Sequence, residues 1–412
     1  MKTPHSARLS FVTAILSTLL LLAGCVSDDE SSTQTSSESS SSSDTDSSTD
    51  SSDDSTSTDT DDTASSDSDD ASTDDSVSET TITDCSDDAH ITEIVCAVNA
   101  FIDTLDTSEQ DELMYDWSES QARTVWSNLP AGSVQRNGIA FGDLSEEQLA
   151  VALAVAKVAL TDDGYETFIG ILASDDYLAA QGNRGGYGSD LYYMAVFGTP
   201  GVSNDWMLQI GGHHLALNMT YLSGTGYPAP ALIAVEPKAS FTYSGTTYEP
   251  MAKKGDALVA MFDALDSSEL SNAYLSGQSF SDVLIGPDNG SGVLPDDYPS
   301  GSNRTGMLVS NLTDDQQALV IAAMESYVRD YPADVADALM EEYSSDAALA
   351  DTYIAWAGSE SAGIDVDTSG TYMRIDGPRL WIEIACQNGV VLSGTHYHSI
   401  YRDKDMDYGN SL

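Results

Sequence analysis

The sequence predicts an α+β domain with strands pooled in one antiparallel sheet, carried on a long polar tether. Three observations predict it. First, two helix starts are written almost alike, Leu144-Ser145-Glu146-Glu147-Gln148 and Leu312-Thr313-Asp314-Asp315-Gln316, each ahead of an Ala/Leu-rich run. In both, a hydroxyl and an amide three residues on can satisfy orphan backbone donors reciprocally, which is a capping box. Second, each helix is followed by strand-like segments that align with those of the other: 193–198 with 353–358, and 208–218 with 373–383. This reads as two divergent copies of a helix-pair and β-hairpin unit, with halves at about 141–221 and 309–390. Two copies are too few for a solenoid and are expected to pack as one domain. Third, residues 26–90 are almost entirely Ser, Thr and Asp.

In chain order, the first zone is residues 1–25. Lys2 and Arg8 precede a mostly apolar run from Leu9 to Leu22, too short to span a bilayer comfortably. It ends in Leu22-Ala23-Gly24-Cys25, which resembles the bacterial lipobox. Small residues admit a signal peptidase, and the Cys25 thiol is the expected lipid acceptor. Val26 stands where an inner-membrane retention signal often places Asp, so the expected location is the bacterial cell envelope, outer membrane before inner, with the membrane as partner through the lipid.

Residues 26–90 hold 21 acids and no Lys or Arg. Such a segment cannot bury enough apolar area to offset its ordering entropy, so it is expected to stay disordered. As a flexible chain it reaches roughly 45 Å.

Residues 91–412 are the expected globular domain. They carry 46 acids against 13 bases, a net of −33. That charge argues against nucleic acid or an anionic membrane surface as partner. Cys85 and Cys96 lie close enough in sequence at the domain entrance for a disulfide in an oxidising compartment, and Cys386 reads as a buried thiol. A helical pattern covers 90–107. A second begins near Glu109 and runs to Leu129-Pro130, where proline ends a helix. One more helix is expected at 254–265 within the Gly/Tyr-rich stretch 220–308.

Four of the six histidines fall in two pairs, His213-His214 and His396-x-His398. On a strand, alternate side chains share a face. His396 and His398 therefore share one, while His213 and His214 are expected on a strand facing oppositely. Two imidazoles from one strand and a third from another form a metal set with an open position. His214 is the expected third ligand, because it aligns with Arg379 and so differs between the copies, and His213 then faces the core or supports the ligands. The implied ion is divalent, of the zinc, copper or iron class.

Around these, Glu383 sits in the apolar run Leu380-Trp381-Ile382-Glu383-Ile384, where it is either a desolvated general base or the partner of Arg374 or Arg379. Asp403 is the other candidate to shuttle a proton, and otherwise orients a histidine or pairs with Arg402. Arg402 offers a fork for a carboxylate or phosphate, with Asp407 and Tyr408 beside it as substrate contacts. Asp365-x-Asp367 to Asp376 has calcium-loop spacing between strands, and reads as a hairpin turn. The chain has no Gly-x-Ser-x-Gly elbow, P-loop, dinucleotide fingerprint or His-Glu-x-x-His.

Trp206 followed by Gly211 to Asn218, and His396-x-His398-Ser-Ile-Tyr-Arg402-Asp403 with Asp407-Tyr408-Gly409, resemble the family catalogued as domain of unknown function 3500. So do Arg123-x-x-Trp126, Leu129-Pro130, Arg136 and the Leu-Ser-Glu-Glu-Gln helix start. The resemblance spans about residues 95–410. It implies one folded unit there and highlights the histidines, without implying an activity. The functional expectation is a metal-dependent enzyme of hydrolase type. The alternative is a binding lipoprotein that captures metal or a small anionic or glycan ligand without turnover.

Overall fold

The computed structural model describes residues 85, 89–182, 185–287 and 298–412. The chain divides into two units, Met1–Asp74 and Asp75–Leu412, and every described residue belongs to the second. Cys25, the apolar leader and nearly all of the expected tether lie outside the described residues. No helix among the described residues is long and apolar enough to cross a membrane.

The unit is α+β. The strands along its main sheet path are β1 (Met114–Tyr115), β2 (Tyr193–Gly198), β3 (Trp206–Gly211), β4 (Leu215–Leu222), β5 (Ala231–Val235), β6 (Met307–Leu308), β7 (Tyr353–Ala357), β8 (Tyr372–Asp376), β9 (Leu380–Asn388) and β10 (Thr395–Asp403), with Ile139–Ala140 and Thr225–Tyr227 paired beside β2 and β4 and a separate hairpin at 241–248. The numbered strands join one large sheet in the order β1-β2-β3-β4-β5-β10-β9-β8-β7-β6, parallel only at β1–β2 along this path. β5 and β10, far apart in sequence, thus lie side by side at the middle of the sheet.

The two faces are covered differently. Leu215, Ile233, Val235, Tyr397, Tyr401, Ile382 and Ile384 point into the main core, with helices packed over them. The other face carries Ala216, Ala234, Ala385, Trp381 and Ile400, covered by irregular segments through Trp126, Leu275, Val283 and Ile285. Small side chains on this face leave room for the polar groups described below.

The helix starts at Ser145 and Thr313 are capping boxes, as the sequence indicates. Two more, Asp106 with Glu109 and Asp266 with Glu269, cap short helices. The helix expected at 254–265 is found at Ala252–Asp263. The one expected from 109 to 129 is not: it ends at Leu113, and the chain turns into β1. The stop comes where Met114 and Tyr115 leave the helix to pair with Val196 and Phe197 of β2, and Asp116 then opens a turn. Its carboxylate accepts from the Ser118 N–H at 2.8 Å, a local bond that competes with helix. Cys85 and Cys96 form a disulfide that ties the domain entrance to helix His90–Thr104, and Cys386 is a buried free thiol.

Candidate metal centre

His213 and His214 do not lie on a strand. They form the turn between β3 and β4, closed by Gly212 N–H donating to Leu215 O at 2.9 Å. Gly212 is required there, because a Cβ would sit 2.7 Å from the Tyr192 ring. His214 takes a left-handed backbone, φ 65°, uncommon for a side chain other than glycine. This conformation sends the two imidazoles to different partners.

The register then decides the site. Ala234 of β5 is the direct partner of His398 on β10, and its N–H donates to His214 O at 2.8 Å on the other side. His214, Ala234 and His398 stand in a row, with only a methyl group between the two imidazoles. His398 Nε2 lies 3.3 Å from His214 Nε2 and 3.1 Å from His396 Nε2. The three residues are 4%, 6% and 1% exposed for His214, His398 and His396. Each can offer one nitrogen to a common ion, with all three nitrogens within 4.8 Å of one another.

Electrostatics keep these rings ready as ligands. Burial, and then the neighbouring histidines, push His214 well below the usual imidazole range, and burial and His398 push His396 down to about 3. Both are neutral at physiological pH, the form that ligates. His398 Nδ1 lies 2.8 Å from Asp282 Oδ1, with the Asn128 and Gln387 amides 3.1 and 2.9 Å from the same atom. Burial alone would raise Asp282, but its contacts with His398, the Val283 N–H and Gln387 together hold the carboxyl below its usual range. A carboxylate there can accept Nδ1–H, the arrangement that turns Nε2 toward the centre.

Two irregular segments bring these supports in. Arg136 donates to the carbonyls of Ser127, Leu129, Val134 and Gly212, which ties the Asn128 segment to the histidine turn. Asp282 sits in the segment that covers the alanine-rich face.

The other expected site residues go elsewhere. His213 stands beside the three residues whose nitrogens converge: its Nδ1 is 2.5 Å from Asp175, and its ring stacks on His214 at 3.6 Å between centroids. Asp403 is on the opposite face of β10 from the histidines, by strand alternation, and holds Arg379 and Tyr343. It cannot orient a ligand imidazole. Arg402 is on the histidine face, but its fork is spent on Asp407, Ile285 O and Gly286 O, so it does not await an anion. Asp407 is held by Arg402 and the Asp403 N–H. Tyr408 is buried, and its hydroxyl accepts from Trp126 Nε1 at 2.7 Å. Glu383 is fully buried, and four donors occupy it: Leu284 N–H, Ile285 N–H, Tyr372 O–H and Trp381 Nε1–H. Burial raises its pKa and the donors oppose it. A carboxylate so enclosed is not a base for substrate.

Sequence reasoning missed Asp282, Asn128, Gln387 and Asp175. Only Gln387 had a local signal, since it is the cross-strand partner of His396 in the β9–β10 hairpin. The Asp365 segment is a hairpin turn, with Asp365 accepting from Thr368 Oγ1 and Asp367 N–H.

No curated protein and no solved structure matches this chain. A family model matches residues 87–410, which takes in the whole sheet, the histidine turn and the His-x-His strand, and the chain therefore belongs to the family described as Protein of unknown function (DUF3500).

Proposed function

We propose that this chain is a lipid-anchored envelope protein whose folded domain is a metal-dependent enzyme of hydrolase type. The observation that carries the reading is the convergence of the His214, His396 and His398 Nε2 atoms. Two of the three separations, 3.1 and 3.3 Å from His398, are close to the edge of a tetrahedron with imidazole bonds of ~2.0–2.1 Å, which is about 3.3–3.4 Å, and all three nitrogens lie within 4.8 Å of one another. Three imidazoles without a thiolate suit zinc, copper or iron. A divalent ion held there would act as a Lewis acid toward water or a carbonyl. The chain itself holds the three nitrogens, fixes the His398 ring through Asp282, and keeps His213 beside them. With Asp175 on Nδ1, His213 has Nε2 left to exchange a proton.

The commitment of Glu383, Asp403 and Arg402 to structural partners favours a second reading, in which the same centre captures metal or a small ligand without turnover. Metal-loaded wild-type protein and His398→Ala, screened on ester, amide, phosphate and glycoside substrates, separate the two. Turnover by the wild type alone supports the enzyme. Metal uptake without turnover on any class supports capture.

Anchoring rests on the sequence of residues 1–25: a basic start, an apolar run and Leu22-Ala23-Gly24-Cys25. Cys25→Ala should abolish lipid labelling and release the protein from the membrane fraction. Normal labelling would overturn it.

We also infer that the domain descends from a duplication wider than the halves read from sequence. Matched contacts support this. Gln148 Nε2 donates to Thr104 O and Glu109, and Gln316 Nε2 donates to Ala264 O and Glu269. The Gly212–Leu215 turn has a counterpart in Gly377 N–H to Leu380 O at 2.8 Å. Ala234 N–H to His214 O corresponds to Lys404 N–H to Arg379 O, also 2.8 Å. In the second copy Arg379 stands in place of His214 and pairs with Asp403, which accounts for a single centre.

A further inference from the structure

We propose that Glu383 and Arg402 are positioning residues for the metal centre, acting through residues 282–286 to hold Asp282 against His398. The inference rests on reading the three histidines as a metal centre.

Residues 282–286 have no strand or helix of their own, so their backbone groups need partners from elsewhere. The two side chains supply them from neighbouring strands. Glu383 on β9 is two residues from Ala385, the cross-strand partner of His398, and so shares its face. It accepts the Leu284 N–H on Oε2 and the Ile285 N–H on Oε1, both at 2.7 Å. Tyr372 and Trp381 fill the remaining positions on its oxygens at 2.7 and 3.0 Å. Arg402 on β10 takes the complementary groups, with Nε to Ile285 O at 2.8 Å and Nη2 to Gly286 O at 3.1 Å, while Asp407 holds Nη1 at 2.7 Å. Donors and acceptors of successive peptides are thus gripped from two strands. Val283 and Ile285 insert into the alanine-rich face between them.

Burying a Glu and an Arg costs desolvation that apolar residues of similar volume would avoid. Their return is placement. The gripped peptides begin two residues after Asp282, whose carboxylate receives His398 Nδ1–H at 2.8 Å. A carboxylate on the far nitrogen of a ligating imidazole sets its tautomer and ring orientation, and losing such a partner typically weakens metal binding about 10- to 100-fold. Glu383 and Arg402 would therefore matter to the ion without touching it.

The test is zinc affinity in Asp282→Asn, Glu383→Gln and the double variant of the full chain. The His398 Nδ1–H proton resonance serves as a second readout, and near-UV circular dichroism checks folding. Each single variant should bind zinc about 10- to 100-fold more weakly, the double no more weakly than the worse single, and both singles should lose or shift the resonance. Folded Glu383→Gln with wild-type affinity and an unchanged resonance would overturn the proposal. So would losses that multiply in the double variant, which would make Glu383 independent of Asp282. If Glu383→Gln does not fold, Arg402→Lys carries the same test, since it loses the planar fork and keeps the charge. Wild-type protein that takes up no zinc, copper or iron overturns the metal reading itself, and this proposal with it.

Discussion

Ala234 stands between His214 and His398, bonded through its backbone to the first and paired in register with the second. Strands lie ~4.8 Å apart, so the two histidines start roughly 10 Å from each other across β5, and their rings meet only over a methyl group. Ala234→Val should therefore part the imidazoles and reduce zinc affinity at least 10-fold. Overpacking of this kind costs about 1–3 kcal/mol, so the variant should stay folded. Calorimetric titration with a parallel thermal melt checks both. Unchanged affinity in the folded variant would show that the two rings do not share an ion.

Binding an ion to the folded state alone should stabilise it by about 2.7 kcal/mol at a free concentration 100 times Kd. Wild-type protein should melt several degrees higher with saturating zinc, and His398→Ala should not respond. An equal rise in His398→Ala would place the ion elsewhere.

The Asp175–His213 pair separates catalysis from ligation. Asp175→Asn removes the carboxylate from Nδ1 while leaving the three ligands in place. If the domain is an enzyme, its kcat should fall with metal content kept near one equivalent. Loss of metal together with activity would assign the pair to building the turn.

Acid sensitivity is expected at His90, away from the centre. Burial lowers its pKa below the usual value, with Asp334 acting weakly in the other direction, and Nε2 lies 3.3 Å from the Tyr221 hydroxyl. A depressed imidazole binds fewer protons folded than unfolded, so stability falls as pH drops below the ordinary histidine value of about 6.5. The slope is up to about 1.4 kcal/mol per pH unit. His90→Gln keeps a polar group without titrating there, and its melting temperature should fall less between pH 7 and pH 5. A parallel fall in both proteins would remove His90 from the acid response.

What the sequence made legible follows from the range of each interaction. His396-x-His398 could be placed on one face because strand alternation is local, and the Ser145 and Thr313 boxes because capping spans three residues. His214 could be singled out from His213 only by aligning residues 208–218 with 373–383, where it falls opposite Arg379. The turn that gives the two rings different hydrogen-bond partners was not visible, since His214 sits in a left-handed backbone usually left to glycine. Glu383 and Arg402 were noticed for their chemistry but misassigned. Their partners are backbone groups of residues 284–286, about a hundred positions away and without side-chain signature. Asp282 was missed for the same reason, because only the folded segment brings it to His398. Asp403 was misread because its offset of five from His398 puts it on the other face, where Arg379 and Tyr343 wait.

The metal reading requires that His214, His396 and His398 hold one ion together. Elemental analysis of tag-free protein, after saturation with zinc, copper or iron and gel filtration, tests it most directly. About one equivalent is expected in wild-type protein and none in a folded His214→Ala/His398→Ala variant. Less than a tenth of an equivalent of every metal in the wild type, or full occupancy in the variant, would contradict it.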